Sequence, residues 1–412
     1  MNYLGEGSLE ALVPLGLLGR ESKISLNNVL PDGLVPIRIL LKKGLIIDIQ
    51  EIPLPVESSL KLLLPRFVEP HAHLDKAFTW NNFPNLEGTY EEAYKANLEE
   101  YEKRTGQDVL KRAEKSLDLA LKNGIRAIRS HVDSFGTFAN QTWDILIDLK
   151  RKWSPFIELQ FVALVPLKYW ESQEGKLLAS RIAREGGLLG GVLLPPFDLR
   201  NTYNSLIKLI ELANDLNCGI DIHIDESQIK PGYGLNTLIH VLEKIELHVP
   251  ITCSHASSMS FMSARPLRIL ADKLANYGIN VIALPLTNSW LLGRNPIKTP
   301  IMRPLAPIYQ LQKAGVTVAI GGDNVQDPWF PSGNFDPISL MSFSMPIAQL
   351  EPWHRLGLSP FTTAPASVLN LDWGGTFSLG SPADFVLLDS RNWNEALAKS
   401  PSRKIMVKGK WL

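Results

Sequence analysis

Residues 66–75 read RFVEPHAHLD, and this stretch decides the fold. Its apolar start is typical of a short strand buried on both faces, and His71 and His73 stand at its end. Side chains at positions i and i+2 of a strand point to the same side, so the two imidazoles can bind one metal ion. A doubly wound sheet would instead carry a glycine-rich phosphate-binding turn after its first strand. Because histidines occupy that position, a barrel is favoured.

Further short apolar runs, rich in Val and Ile, follow this first one along the chain. They cover residues 125–131, 157–164, 188–194, 219–224, 249–255, 280–286 and 316–321. Amphipathic segments typical of helices lie between them, for example at residues 108–122, 204–217 and 307–314. Eight strands that alternate with helices predict a parallel (β/α)8 TIM barrel, a fold of the α/β class.

The two ends of the chain do not fit the barrel pattern. Residues 35–49 read as two strands around a Lys-Lys-Gly turn, and residues 382–388 and 403–411 read as further strands. We therefore expect a small flanking β-sandwich domain formed from residues 1–64 and 375–412, and a barrel domain at residues 65–374. The polar and aromatic segment 81–103 is interpreted as an excursion after the first barrel strand, within reach of the active site.

The composition argues against several classes of partner. Lys plus Arg and Asp plus Glu number 42 each, so neither nucleic acid nor an anionic membrane is favoured electrostatically. No stretch approaches the roughly 20 apolar residues of a membrane helix, and the apolar patch at residues 11–18 lacks the basic residues of a signal peptide. Two cysteines, Cys218 and Cys253, cannot form a disulfide framework and indicate a reducing compartment. We expect a cytoplasmic protein.

The histidines are concentrated at the ends of the predicted barrel strands. Five of the eight in the chain lie there, namely His71, His73, His131, His223 and His255. Asp323 follows the last strand, and the carboxyl ends of barrel strands are where such folds carry out chemistry. Imidazole and carboxylate suit Zn²⁺, Fe²⁺ or Mn²⁺, and the absence of nearby thiolates favours a catalytic site with an open coordination position. We predict that His71, His73, His223 and Asp323 bind one divalent metal ion.

Proton transfer is assigned to residues beside this metal site. Glu226 stands three residues after His223, and a carboxylate there can carry a proton to a leaving group or a ring nitrogen. Asp225 is its rival, but the alternation of the strand points Asp225 away from the pocket. His255 is expected to donate to developing negative charge or to orient Asp323, which itself accepts the proton of the attacking water.

These residues, in this order, resemble the amidohydrolase superfamily and, within it, the bacterial cytosine deaminase group. The resemblance rests on FVEPHAHLD at residues 67–75, HVD at 131–133, DIHIDE at 221–226, SHA at 254–256 and GGDNVQDPW at 321–329. It implies the same four ligands to one zinc or iron ion, with Glu226 and His255 in proton transfer and orientation. For His131 and Asp133, two roles stay open: support of the metal ligands, or a purely structural role.

Two departures from that group concern the substrate. Leu167 holds the place of a glutamine that reads the amide edge of the pyrimidine, and Asn324 replaces the second of two aspartates. A lost hydrogen-bonding group changes substrate preference strongly. Trp329 is expected either to stack on a flat heterocycle or to pack between loops, and Phe78 and Trp80 are further candidates for the pocket wall.

The sequence therefore predicts a mononuclear, metal-dependent hydrolytic deaminase that acts on a C–N bond of a cytosine-like or related nitrogen heterocycle. The alternative is an amidohydrolase that removes an alkylamine from, or opens, a triazine-type or cyclic amide substrate. A third class, a catalytically inactive binding protein, is disfavoured because the ligands, the acid and the orienting histidine are all present. The expected partner is a small heterocyclic molecule, and a homo-oligomer is left open.

Overall fold

A computed structural model describes residues 6–22, 24–55, 59–295 and 297–412. The strands are β1 (Glu6–Pro14), β2 (Leu34–Lys42), β3 (Leu45–Glu51), β4 (Leu63–Pro65), β5 (Phe67–Ala72), β6 (Ile125–Asp133), β7 (Glu158–Leu164), β8 (Leu188–Leu193), β9 (Ile220–Ile224), β10 (Ile251–His255), β11 (Asn280–Ala283), β12 (Val318–Ile320), β13 (Phe385–Leu388), β14 (Arg403–Val407) and β15 (Lys410–Trp411). The α-helices are α1 (Tyr90–Lys103), α2 (Gly106–Lys122), α3 (Ala139–Trp153), α4 (Gln173–Arg184), α5 (Leu199–Asp215), α6 (Tyr233–Leu242), α7 (Ala264–Asn276), α8 (Pro285–Leu291), α9 (Ile308–Ala314), α10 (Pro337–Ala348), α11 (Arg355–Leu358), α12 (Thr363–Val368) and α13 (Trp393–Lys399).

Strands β5 to β12 form one eight-stranded sheet in which each strand lies beside its neighbour in sequence. The pairs β7–β8, β8–β9, β9–β10, β10–β11 and β11–β12 are parallel. The two edges of the sheet meet where Ala72 bridges to Asp323, whose backbone N–H donates to the carbonyl of His71 at 3.0 Å. The predicted TIM barrel is confirmed.

The barrel strands are short and buried, as their apolar sequences require. All five residues of β9 and all five of β10 are buried, which is typical of a sheet covered on both faces. The apolar run predicted as a strand at residues 280–286 is shorter than expected, because β11 ends at Ala283. Pro285 starts α8 instead, since proline lacks an N–H but is tolerated in the first turn of a helix.

The terminal segments form two antiparallel sheets. One has the order β1-β2-β3, and the other has the order β15-β14-β13-β4, so β4 from the N-terminal part pairs with β13 from the C-terminal part. The predicted hairpin at residues 35–49 is β2–β3, in which Lys42 pairs with Leu45. Its two-residue loop has positive φ at Lys43 (53°) and Gly44 (75°), the conformation that suits the right-handed twist of the strands.

The described chain forms two compact units. One is built from Met1–Val68, Asp118–Ala127 and Phe335–Leu412, and the other from Glu69–Leu117 and Ile128–Asn334. The domain boundaries expected from the sequence stay a prediction. Residues 1–5, 23 and 56–58 of the expected β-domain lie outside the described residues. In the described ranges, no helix has the length and apolar character needed to span a membrane.

Candidate active site

The predicted metal ligands meet at the carboxyl ends of the barrel strands. His71 lies in β5 and His223 in β9. His73 directly follows β5, and Asp323 stands three residues after the end of β12. The Nε2 atoms of His71 and His73 lie 3.5 Å and 3.3 Å from Oδ1 of Asp323. The ring centroid of His223 is 4.7 Å from that of His71 and 5.5 Å from that of His73.

These groups divide into trios that share His71. Candidate ligand atoms of His71, His73 and Asp323 lie within 4.8 Å of one another, and so do those of His71, His223 and His255. His255 ends β10 with φ 72°, and Asp323 has φ 62°. Left-handed backbone in residues other than glycine is costly and tends to occur at functional sites. The structure thus brings the four predicted ligands together and adds His255 beside them.

The chemistry of these side chains fits a divalent cation. Within the described ranges, Nε2 of His71, Nδ1 of His223, Nε2 of His255 and both carboxylate oxygens of Asp323 are buried without a hydrogen-bond partner. Buried polar atoms are otherwise almost always paired. Burial lowers the pKa of His71 and of His223 well below their usual range, so both rings stay neutral and keep a lone pair.

The orientation of His71 is fixed by a chain of buried hydrogen bonds. Ser254 donates its hydroxyl proton to Oδ1 of Asp221 at 2.8 Å, and Arg129 donates to the other oxygen of Asp221 at 2.9 Å. Ser254 therefore accepts a hydrogen bond from Nδ1 of His71, which lies 2.9 Å away. This assignment leaves the lone pair on Nε2, the atom that faces Asp323, and such partners are typical of ligand histidines.

Glu69 ties the first and last barrel strands together beneath the site. Its carboxylate accepts hydrogen bonds from the backbone N–H of His71 at 3.1 Å and of Gly322 at 3.0 Å. Burial raises the pKa of Glu69 to about 8, against the opposing effect of these two hydrogen bonds. A Cβ atom on Gly321 would lie 2.8 Å from a carboxylate oxygen of Glu69, so only glycine fits there without a shift.

Glu226 lies beside His255, as the predicted proton-transfer roles require. Its Oε1 atom is 3.4 Å from Nδ1 of His255 and 3.4 Å from Nδ2 of Asn288. Asn288 also places Nδ2 3.0 Å from Nδ1 of His255. Burial, reinforced by the nearby charge of Asp323, raises the pKa of Glu226 well above its usual range, so the carboxyl group can hold a proton.

Asp225 points away from this cluster, as the strand alternation predicts. Its carboxylate accepts hydrogen bonds from the backbone N–H of Gly234 at 2.8 Å and of Leu235 at 2.9 Å. These are free N–H groups of the first turn of α6, so Asp225 stabilises the start of that helix.

A cavity of about 470 Å³ opens onto the cluster. His73, His223, Glu226, His255 and Asp323 line one side of it. Apolar side chains that line it include Leu164, Val165, Leu167, Val192, Leu193 and Phe197. Helix α1, which lies in the excursion predicted at residues 81–103, contributes Tyr90, Tyr94, Asn97 and Leu98.

The three residues predicted to contact substrate all line this cavity. Leu167 is among its apolar residues, and Asn324 donates from Nδ2 to Asp327 at 2.9 Å. Trp329 both lines the cavity and packs edge-on against Tyr90, with 4.9 Å between the ring centroids. Phe78 and Trp80 are not among the described residues that line it.

The two residues left between supporting and structural roles lie close to the site. The ring of His131 stacks on that of His71 with centroids 3.9 Å apart. Asp133 lines the cavity and accepts a hydrogen bond from Nζ of Lys76 at 2.8 Å. Burial raises the pKa of Asp133, but Lys76 and Arg104 outweigh it and hold that pKa well below its usual range.

Several residues that have no role in the sequence-based predictions lie at the site. Asp221 and Ser254 support His71, Asn288 lies against Glu226 and His255, and Lys76 lines the cavity. Asp221 carries a detectable signal, since it is a charged residue within the apolar strand Ile220–Ile224 and shares a face with the histidine two residues later.

Comparison with known proteins places these observations in a family. The model of the amidohydrolase family matches residues 189–410. The chain is 30% identical to a pterin deaminase of Rhizobium rhizogenes over 99% of this chain and 92% of that one. It is 24% identical to an N-isopropylammelide isopropyl amidohydrolase of a Pseudomonas species, over 86% of each chain. A crystal structure of 5-methylcytosine deaminase from Klebsiella pneumoniae superposes with a TM-score of 0.82 at 24% identity, over 98% of each chain, which indicates the same fold.

Proposed function

The chain belongs to the amidohydrolase family, and from this membership we propose that it is a metal-dependent hydrolytic deaminase of a nitrogen heterocycle. The observation that carries the proposal is that His73, His223, Asp323 and Glu226 line the wall of one cavity. His71 lies beside them, with its ligand atom within 4.8 Å of those of His73 and Asp323. Water adds to a ring carbon, the exocyclic C–N bond of that carbon breaks, and ammonia leaves.

We assign the binding of one divalent ion, zinc or iron, to His71, His73, His223 and Asp323. Support comes from the unpartnered buried atoms of this set and from the lone pair that Ser254 leaves on Nε2 of His71. When bound, such an ion lowers the pKa of a water molecule and so supplies a nucleophile near neutral pH.

The side chains of the protein then have separate tasks. The carboxylate of Asp323 takes the proton of the attacking water. Glu226, buried and with a raised pKa, delivers a proton to the ring nitrogen next to the attacked carbon. His255, held by Asn288, stabilises the negative charge that develops on the former water oxygen.

For the substrate we propose an amino-substituted heterocycle with two fused rings, of the pterin type. The relative that matches almost the whole chain at 30% identity is a pterin deaminase. A cavity of about 470 Å³ is within the range of small-molecule sites and leaves room beyond a single pyrimidine ring. Lys76, Asn97 and Asp133 supply hydrogen-bonding groups along its wall, whereas Leu167 supplies none.

A second candidate is the removal of an alkylamine from a triazine. The apolar residues Leu167, Val192 and Phe197 would accommodate an alkyl group, and the relative at 24% identity is named for this reaction. The two candidates use the same metal site and differ in the ring system of the substrate and in the leaving group.

The test measures metal content and amine release together. The purified chain is stripped with a chelator, reloaded with zinc or iron, and assayed with pterin, cytosine, isocytosine, creatinine, aminotriazines and N-isopropylammelide. We expect ammonia from pterin and its loss on chelation, with magnesium, which prefers oxygen ligands, as the control ion that fails to restore it. Isopropylamine from N-isopropylammelide would favour the second candidate, and no release from any compound by metal-loaded protein would refute both. The cytoplasmic location stays a prediction from the sequence, and the homo-oligomer stays open.

A further inference from the structure

A second depression, of about 370 Å³, lies on the barrel unit apart from the active-site cavity. It is formed by parts of α1 and α2 and by residues 78–83, and it shares no lining residue with the cavity. Five cationic side chains line it, namely Lys103, Arg104, Lys111, Arg112 and Lys115. Only two lining carboxylates, those of Glu100 and Asp108, oppose them. Among the lining groups alone, cations outnumber carboxylates by three. Arg104 also pairs with Asp75 at 3.2 Å and with Asp133 at 3.4 Å, so the excess positive charge rests with the lysines.

The spacing of the charges on α2 concentrates them on one face. Asp108, Lys111, Arg112 and Lys115 follow one another at intervals of three, one and three residues, which places them together on one side of a helix. Asp108 is held at the start of the helix, because its carboxylate accepts from the hydroxyl of Thr105 at 2.6 Å and its backbone N–H donates to that hydroxyl at 3.2 Å. Its single negative charge is outnumbered by the three cations of this face.

The guanidinium of Arg112 is the central group of this depression. The side chain is only 8% exposed, and its Nη1 atom donates to Oε1 of Glu100 at 2.7 Å. Its Nε and Nη2 atoms have no hydrogen-bond partner among the described residues. Glu100 is shared, since Nη2 of Arg104 donates to its other oxygen at 2.5 Å. Leaving buried cationic donors unpaired is costly, so Arg112 has capacity for a second anion.

Two lysines at the edge keep their charge available. Nζ of Lys115 lies 3.6 Å from the ring centroid of Phe78, and Nζ of Lys103 lies 5.4 Å from that of Phe83. An aromatic face attracts a cation without neutralising it. These rings therefore hold the ammonium groups at the depression and leave their charge for a ligand.

We propose that this depression, which we call the Arg112 site, binds a small phosphate-bearing ligand. A guanidinium matches the geometry of a phosphate with paired N–H donors, and lysines add point charges around it. The concave shape and the neutral net charge of the whole chain favour a small molecule over a nucleic-acid backbone.

Calorimetry on the metal-loaded full chain with inorganic phosphate tests the Arg112 site. We expect binding that weakens with added salt, and an affinity at least about tenfold lower in Arg112→Gln. Lys111→Glu combined with Lys115→Glu, two exposed positions, should weaken it similarly and decides the matter if Arg112→Gln fails to fold. Lys95→Glu is the matched control, because this lysine lies on α1 with its side chain 66% exposed and outside the depression.

Several results would overturn the proposal. One is the absence of phosphate binding at millimolar concentrations. Another is phosphate binding of equal affinity in all variants. A third is phosphate binding that competes with substrate and is unaffected by Arg112→Gln, since the phosphate would then occupy the active site. Acetate binding as tightly as phosphate, or single-stranded DNA binding that depends on Arg112, would contradict the assignment of the ligand.

Discussion

Glu226→Gln separates proton transfer from every structural role of this residue. Glutamine keeps the shape of the side chain and can still meet Asn288, but it cannot donate or accept a proton on the time scale of catalysis. General acid–base catalysis contributes roughly 10²- to 10⁴-fold in rate, so we expect kcat to fall by that factor. This corresponds to about 3–5 kcal/mol of lost transition-state stabilisation.

The stability of the same variant should change little. The contacts of Glu226 with His255 and Asn288 are long, at 3.4 Å each, and the side chain is only 5% exposed. Replacement of a buried carboxyl by a neutral amide removes at most one weak hydrogen bond, so the free energy of unfolding should move by less than about 1 kcal/mol. Metal content should stay at the wild-type level, because Glu226 is not an assigned ligand.

The assay combines steady-state ammonia release, metal analysis and thermal unfolding on the same preparation. Glu246→Gln is the matched control, since that side chain is 85% exposed and is not among the residues that line the cavity. Wild-type kcat in Glu226→Gln with full metal content would refute the proton-transfer role. A loss of activity that follows a loss of metal would instead make Glu226 a ligand.

Three further substitutions test buried hydrogen bonds and ion pairs in the two compact units. Ser254→Ala removes the acceptor of His71 Nδ1 and should lower metal affinity about 10- to 100-fold, measured by competition with a chelator. Asp225→Ala leaves two buried N–H groups of α6 unpaired, so urea unfolding should reveal a loss of about 1–3 kcal/mol. Asp336→Ala breaks a buried bidentate ion pair with Arg403 (2.8 and 2.9 Å) and should lower the free energy of unfolding by about 3–5 kcal/mol. Burial raises the pKa of Asp336, but Arg403 outweighs this effect and lowers the pKa below its usual value. The stabilisation by the Asp336–Arg403 pair is therefore present above the unfolded-state pKa of the aspartate and is lost as the pH falls through the folded-state pKa. If Asp336→Ala unfolded in acid at the same pH as the wild type, the stabilising role of the pair would be contradicted.

The positions of the site histidines could be predicted because a barrel obeys a simple rule. Parallel strands end on the same rim, so a polar residue at the end of each apolar run has to lie near the others. His71, His223 and Asp323 follow this rule, and the alternation of β9 also separates Glu226 from Asp225. The hairpin β2–β3 was equally predictable, since its Lys-Gly loop tolerates positive φ.

The supporting contacts were beyond prediction because they depend on distances between separate strands. Ser254, Asp221 and Arg129 come from β10, β9 and β6, and only the register of the closed sheet brings them into one chain of hydrogen bonds behind His71. The same holds for Asn288, which lies on α8, the helix that begins at Pro285 after β11 has ended at Ala283.

The order of the strands and the residues at their ends could be read from the sequence, and with them the side chains of the proposed metal site. Only the tertiary structure decided which ring nitrogen of His71 keeps its lone pair, which residues of α1 line the cavity, and that Arg112 is buried with unpaired donors. The physical reason is that periodicity fixes the face to which a side chain points, whereas hydrogen bonds and burial depend on which distant segments pack against that face.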